Sequence, residues 1–131
     1  MSTSRRYTQS HEWIRVEGTT GTVGISDHAQ KEVTDVVYVE MAKVGKTLKA
    51  GEEATTLESV KAAFSIYAPV SGTVAKANTA LEGDPGLINK SPFDDGWIYA
   101  LEISNPAELN ALMSEDQYAE FLKSGAAGAH H

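Results

Sequence analysis

Two strand-length runs flank one lysine, and an antiparallel hairpin is the simplest fold that accommodates them. Lys61 stands ten residues after Gly51 and eleven before Gly72. Glu52–Ser59 precedes it and Ala63–Val70 follows, so Val60-Lys61-Ala62 forms the turn and the two glycines mark the far ends. In the second run Phe64, Ile66, Ala68 and Val70 alternate with Ser65, Tyr67 and Pro69, the period of a half-buried strand. Pro69 has no N–H to give a ladder and pushes that end toward a sheet edge or a bend. A lysine at such a tip projects far from the body. It serves either as edge decoration that repels unwanted pairing or as an attachment point, and spacing leaves both open.

The rest of the chain is also strand-rich. Thr22–Ile25 puts Val23 and Ile25 on one face, and Asp35–Met41 is apolar on both faces, which predicts a central strand. Trp97, Tyr99, Leu101 and Ile103 alternate with Ala100, Glu102 and Ser104 as a half-buried strand. Helices are few. A short one follows Ser26 or Asp27 as N-cap and runs through His28–Glu32. Asn105-Pro-Ala-Glu108 has N-cap, N1 proline and N3 acid in order. Ser114-Glu-Asp-Gln117 is a capping box, opening a helix that Gly125 closes and that carries Tyr118, Phe121 and Leu122 on one face. The pattern predicts a mainly β sandwich or flattened barrel, with a short helix in the N-terminal half and a C-terminal helical cap.

Composition removes several functions. With 11 Lys plus Arg against 18 Asp plus Glu, the formal charge of −7 argues against nucleic-acid and anionic-membrane binding, which need clustered cations. It permits docking on basic protein surfaces. There is no cysteine, so disulfides, thiolate nucleophiles and thiolate metal sites are absent, and any sulfur chemistry must come with a cofactor. No run approaches the ~18 apolar residues of a membrane span. Residues 1–6 (MSTSRR) read as disordered, a transit-peptide stub or an expression start. Residues 125–131 read as a disordered low-complexity tail, whose two histidines are left out of site reasoning.

Enzyme motifs fail one by one. His11-Glu12-Trp13 opens like a zincin helix, but the fourth position on from His11 is Arg15, and His28 is the other histidine outside the tail; no metal site is expected. Ser26, Asp27 and His28 are adjacent, whereas a catalytic triad converges from separated positions. Gly21-Thr-Val-Gly24 carries neither a Walker lysine nor a dinucleotide pattern. At Lys61, small apolar Val60 and Ala62 cannot hide the ε-amine, and Glu58 and Ser59 are available for a modifying enzyme to read.

Seven blocks resemble the H protein of the glycine cleavage system: YTQSHEW (Tyr7–Trp13), VGISDHAQ (Val23–Gln30), VVYVE (Val36–Glu40), ESVKA (Glu58–Ala62), YAPVSG (Tyr67–Gly72), GLIN (Gly86–Asn89) and SPFDDGW (Ser91–Trp97). Biotin carriers set their lysine between methionines and acyltransferase lipoyl domains use an Asp-Lys pair; Val60-Lys61-Ala62 fits neither. The resemblance implies a barrel-sandwich hybrid of two small antiparallel sheets, a single lipoyl-carrier domain over residues 7–124 with its helical cap from about 105, and a monomer. It implies lipoate in amide linkage to Lys61, attached by a lipoate ligase or a lipoyl or octanoyl transferase. Three enzymes would be visited: a pyridoxal-phosphate glycine decarboxylase that loads the aminomethyl group, a tetrahydrofolate-dependent aminomethyltransferase that unloads it, and an FAD dihydrolipoyl dehydrogenase that reoxidises the dithiol. The compartment would be the mitochondrial matrix or the bacterial cytoplasm.

A cationic aminomethyl group calls for a sheltered carboxylate or hydroxyl. Glu12 is the first candidate, with Ser10 and Asp27 weaker, against the alternative that Trp13 is core and Glu12 solvated. Thr34 and Ala42 stand where the family commonly has glycine and proline, changes expected to be absorbed in turns. Phe64-Ser65 replaces a frequent small-plus-Asp pair beside the arm. Phe64 becomes either an apolar wall for the lipoyl chain or a core residue on the Ile66 face, and Ser65 leaves the acid missing. Two other functions remain: an H-like lipoyl donor for other enzymes, and an unmodified binding module.

Overall fold

The computed structural model describes residues 5–123. Strands β1 (Arg5–Tyr7), β2 (Glu12–Glu17) and β3 (Thr20–Ile25) lead into helix α1 (Asp27–Val33). Then come β4 (Val36–Val39), β5 (Thr47–Leu48), β6 (Glu53–Ser59), β7 (Ala63–Tyr67) and β8 (Gly72–Ala77). Two single-turn helices, α2 (Ala80–Gly83) and α3 (Leu87–Lys90), precede β9 (Tyr99–Ile103). A 3₁₀ segment (Pro106–Ala111) and α4 (Glu115–Lys123) finish the described chain. The strands form two antiparallel sheets, one ordered β1-β2-β3-β9-β8-β5 and one β4-β6-β7, with no closed barrel. This is the mainly β, two-sheet architecture expected.

Alternation along the strands builds two cores. Ile14, Val23, Val74 and Leu101 of the larger sheet meet Val36, Val39, Leu57 and Ile66 of the smaller one in a single buried cluster. The residue before Ile14 points the other way: fully buried Trp13 joins Tyr7 beneath α4, with Tyr118, Phe121 and Leu122 supplied by the helix face read from sequence. Tyr7 and Tyr118 stack with centroids 4.3 Å apart. Gly24 makes the bed for Trp13, since a Cβ there would lie 2.6 Å from the indole. The α4 capping box is formed: Gln117 N–H donates to the Ser114 hydroxyl (3.2 Å), and Ser114 N–H to the Gln117 side-chain oxygen (2.9 Å).

Several expectations change. The run at Val36–Val39 is an edge strand paired only with β6, leaving Val37 and Tyr38 more than half exposed. Two apolar faces therefore do not make this strand central. Ala100 is buried along with Tyr99 and Leu101 on β9, which is paired along both edges by β3 and β8, while Glu102 on the Ala100 face is exposed. Asn105 gives no side-chain cap and the segment after it is 3₁₀ rather than α. Glu108 instead accepts bonds from the Ser71 N–H (2.7 Å) and hydroxyl (3.1 Å). Arg5 and Arg6 pair with Arg15 and Ile14 in the sheet, so order begins before Tyr7. Thr34 is not absorbed without cost: at φ 67°, ψ −155° it occupies a region that suits glycine. Ala42 is buried in the core. The Gly125 stop and the tail lie outside the described residues.

Candidate functional site

β6 and β7 form the expected hairpin, with Glu58 opposite Ala63 and Leu57 opposite Phe64, and Val60-Lys61-Ala62 as its turn. Gly51 at φ 85° takes the left-handed conformation needed where the chain enters this hairpin. Gly72 is needed for a different reason: it opens β8, and a Cβ there would collide with the Glu102 carbonyl on β9. The turn is tied by Ser59. Its hydroxyl accepts from the N–H groups of Lys61 (3.0 Å) and Ala62 (3.2 Å) and faces the Ala62 carbonyl at 3.3 Å. Ser59 N–H closes the turn on the Ala62 carbonyl (2.9 Å), and Val60 N–H docks it on the Asp35 carbonyl (3.0 Å). Ser59 is therefore a buried staple, while Glu58 is exposed next to the tip.

Lys61 is exposed and its Nζ donates to the backbone carbonyl of Glu32 near the end of α1 (3.2 Å). Glu32 also belongs to the wall of a cavity of about 120 Å³. Ser10, Glu12, Phe64 and Ser65 line the same cavity, so four of the five cleft candidates converge beside the lysine. Asp27 does not. It opens α1, where Gln30 and Lys31 bond its carboxylate and hold it below the usual carboxylate range. Phe64 lines the cavity and also packs on the core.

Glu12 is the buried polar end of the cavity. Only 1% of it is exposed, which overturns the solvated alternative, while Trp13 is core as that alternative supposed. One carboxylate oxygen accepts from the hydroxyls of Thr8 (2.5 Å) and Ser10 (2.6 Å); the other accepts the Tyr67 N–H across the gap between sheets (3.0 Å). Burial raises its pKa above the usual carboxylate value, and these hydrogen bonds work against that rise. Tyr99 lies close enough to feel the Glu12 charge. Its hydroxyl is buried without a hydrogen-bond partner among the described residues, and its pKa is raised by burial first and by Glu12 second. Thr8 and Tyr99 escaped sequence reasoning; the alternation of Thr8, Ser10 and Glu12 was the available signal for the first.

In the cavity wall His11 adopts φ 76°, a strained value for a residue with a Cβ. Its carbonyl accepts from Ser26 N–H (2.9 Å) and its N–H donates to the Thr8 carbonyl (3.1 Å). This backbone places the ring 4.7 Å from that of His28, centroid to centroid. Ser26, the N-cap of α1, accepts from Ala29 N–H (3.1 Å), and its hydroxyl sits 2.7 Å from that of Tyr118. Burial is the main reason the Tyr118 hydroxyl is pushed up to about 12.

A family model for the glycine cleavage H-protein matches residues 5–125. The glycine cleavage system H protein of Xanthobacter autotrophicus is 52% identical over 120 residues, covering 92% of this chain and 96% of that one. That of Stenotrophomonas maltophilia is 52% identical over 119 residues, covering 90% and 91%. Among solved structures, a glycine cleavage system H protein from Mycobacterium marinum superposes with a TM-score of 0.79 at 32% identity, covering 92% of this chain and 97% of that one. The chain belongs to the glycine cleavage H-protein family, whose members are lipoyl carrier subunits rather than enzymes.

Proposed function

We propose that Lys61 bears lipoate and that the protein carries the aminomethyl group of glycine from the decarboxylase to the aminomethyltransferase, and electrons to dihydrolipoyl dehydrogenase. One observation supports this above the others: an exposed lysine at a hairpin tip bonds the carbonyl of Glu32, and Glu32 lines a cavity that also holds the buried Glu12 carboxylate. The residues suit the group. The ε-amine donates to the Glu32 backbone carbonyl, so making the amide gives up that one hydrogen bond. Amide formation removes the lysine charge, taking the formal total from −7 to −8. Lipoate supplies a dithiol that this cysteine-free chain lacks.

The chain's own part is positioning. Ser59 holds the tip so that Lys61 faces outward to its modifying enzyme, with Glu58 beside it as the exposed recognition element. Phe64 and Ile66 give the cavity an apolar wall. Ser10 and Glu12 give it a polar end that suits a cationic amine and shelters it from water. The missing acid at Ser65 leaves Glu12 as the buried carboxylate of this wall. The bacterial relatives support the bacterial cytoplasm over the mitochondrial matrix as the compartment. No helix among the described residues is long and apolar enough to cross a membrane.

Reconstitution tests the reading. Lipoylated protein is mixed with the decarboxylase and aminomethyltransferase, and bicarbonate exchange into glycine is followed. Exchange that depends on Lys61 supports carriage. A lipoylated protein that passes its lipoyl group to other enzymes but supports no exchange would instead be a lipoyl donor.

A further inference from the structure

His11, His28 and Glu32 come together beside the cavity, which His11 and Glu32 line, although spacing along the chain argued against a metal set. Each offers one ligand atom, and all three atoms lie within 4.8 Å of one another. We propose that these three residues form a binding site for a divalent transition ion of the zinc class, with a fourth position open toward the cavity.

The donor set selects the ion. Two imidazoles and one carboxylate suit zinc, cobalt or nickel, whereas magnesium and calcium prefer oxygen throughout. Three protein ligands plus one position left for water is also a known zinc arrangement, distinct from the closed four-ligand structural sites. The geometry is close to what is needed. Tetrahedral zinc with bonds of ~2.0–2.1 Å sets ligand atoms about 3.3 Å apart. His28 Nε2 and Glu32 Oε2, one helical turn apart on α1, are already 3.4 Å apart. Among the described residues that nitrogen is sealed from solvent and has no hydrogen-bond partner, and the polar group that approaches it is the Glu32 carboxylate. The widest separation must close by at most about 1.5 Å, within reach of rotamer changes at partly exposed His28 and Glu32.

His11 is the anchored member. It is 92% buried by its 8% exposure, its backbone is held at positive φ, and its Nδ1 lies 2.7 Å from the Tyr118 hydroxyl. A ring nitrogen fixed by an outer hydrogen bond is how metal-binding histidines are usually oriented. His11 and Glu32 both line the cavity, which gives the open position its direction. The site does not require modification of Lys61, so it stands or falls separately from the carrier function.

The test uses the full, unmodified chain carrying His130→Ala and His131→Ala, which removes the two tail imidazoles. Zinc is titrated by calorimetry, and cobalt(II) reports geometry through the visible absorption of a tetrahedral site. One ion per chain is expected, with zinc-dependent shifts of the amide resonances of His11, His28 and Glu32. His28→Ala and Glu32→Gln should each weaken binding by about a hundredfold or more, since losing even an outer partner costs ~10–100-fold. Circular dichroism checks the fold, and exposed Glu32 decides the matter alone if the histidine variant misfolds. No saturable binding in the tail-substituted chain, or wild-type affinity in Glu32→Gln, overturns the proposal.

Discussion

Thr34→Gly should stabilise the protein, against the usual cost of putting glycine into a folded chain. Thr34 follows α1 with φ 67° and ψ −155°, a region sparsely populated by any residue with a Cβ. Such strain costs about 1–3 kcal/mol, with β-branched side chains at the upper end. Glycine removes it but returns roughly 0.5–1 kcal/mol through the greater freedom of its unfolded chain. The Thr34 hydroxyl gives up only a local contact with the Val33 carbonyl, and the side chain is exposed. The backbone bonds of Thr34, to the Gln30 carbonyl and from the Asn89 amide, do not involve its side chain. The net gain is about 1 kcal/mol, or a rise of about 4 °C in melting temperature for a domain of this size. Thermal unfolding by circular dichroism measures it, with Thr34→Ala as the comparison. Alanine keeps the Cβ and should stay within about 0.5 kcal/mol of wild type. An unchanged or lower melting temperature in Thr34→Gly, or an equal gain in Thr34→Ala, would refute the reasoning.

Other expectations follow from the site. Because burial raises the Glu12 pKa in the folded state, the native protein binds the proton more tightly than the unfolded chain does. The Glu12 contribution to stability is then best below the unfolded carboxylate value of ~4.3 and falls as pH rises through the window up to the folded pKa. Melting curves across that window should show this slope in wild type and a flatter one in Glu12→Gln. The same variant keeps an acceptor for Tyr67 N–H, so it is a better probe than Glu12→Ala: loaded protein should lose its aminomethyl group faster without partner enzymes, and an equal rate would remove Glu12 from that role. Ser59→Ala should cost about 1 kcal/mol and slow lipoylation several-fold, read by mass spectrometry of timed ligase reactions. Gly24→Ala, which drives a methyl into the Trp13 ring, should destabilise by about 1–3 kcal/mol in a denaturant titration.

What could be read in advance was what local chemistry decides. The Val60-Lys61-Ala62 turn, the Ser26 N-cap and the Ser114–Gln117 box depend on neighbours within a few residues, and all three formed as expected. The position of β4 could not be read, because an apolar run looks alike whether one sheet edge is covered or both. The single-turn helices at Ala80 and Leu87 are too short to leave a period. The site divides in the same way. Lys61 announces itself by its place in a hairpin, whereas the burial of Glu12 depends on an N–H from Tyr67, 55 positions away. The meeting of His11 with His28 depends on a backbone reversal that leaves no mark in residue spacing.

The central claim is that Lys61 is the attachment point. Intact mass, followed by peptide mapping, is measured after incubation with lipoate, ATP and a lipoate ligase, for wild type and Lys61→Arg. Wild type should gain one lipoyl amide, located on Lys61, and Lys61→Arg should gain none. An unshifted wild-type mass beside a control carrier that is modified in the same reaction, or a lipoyl group on another lysine, would contradict the account.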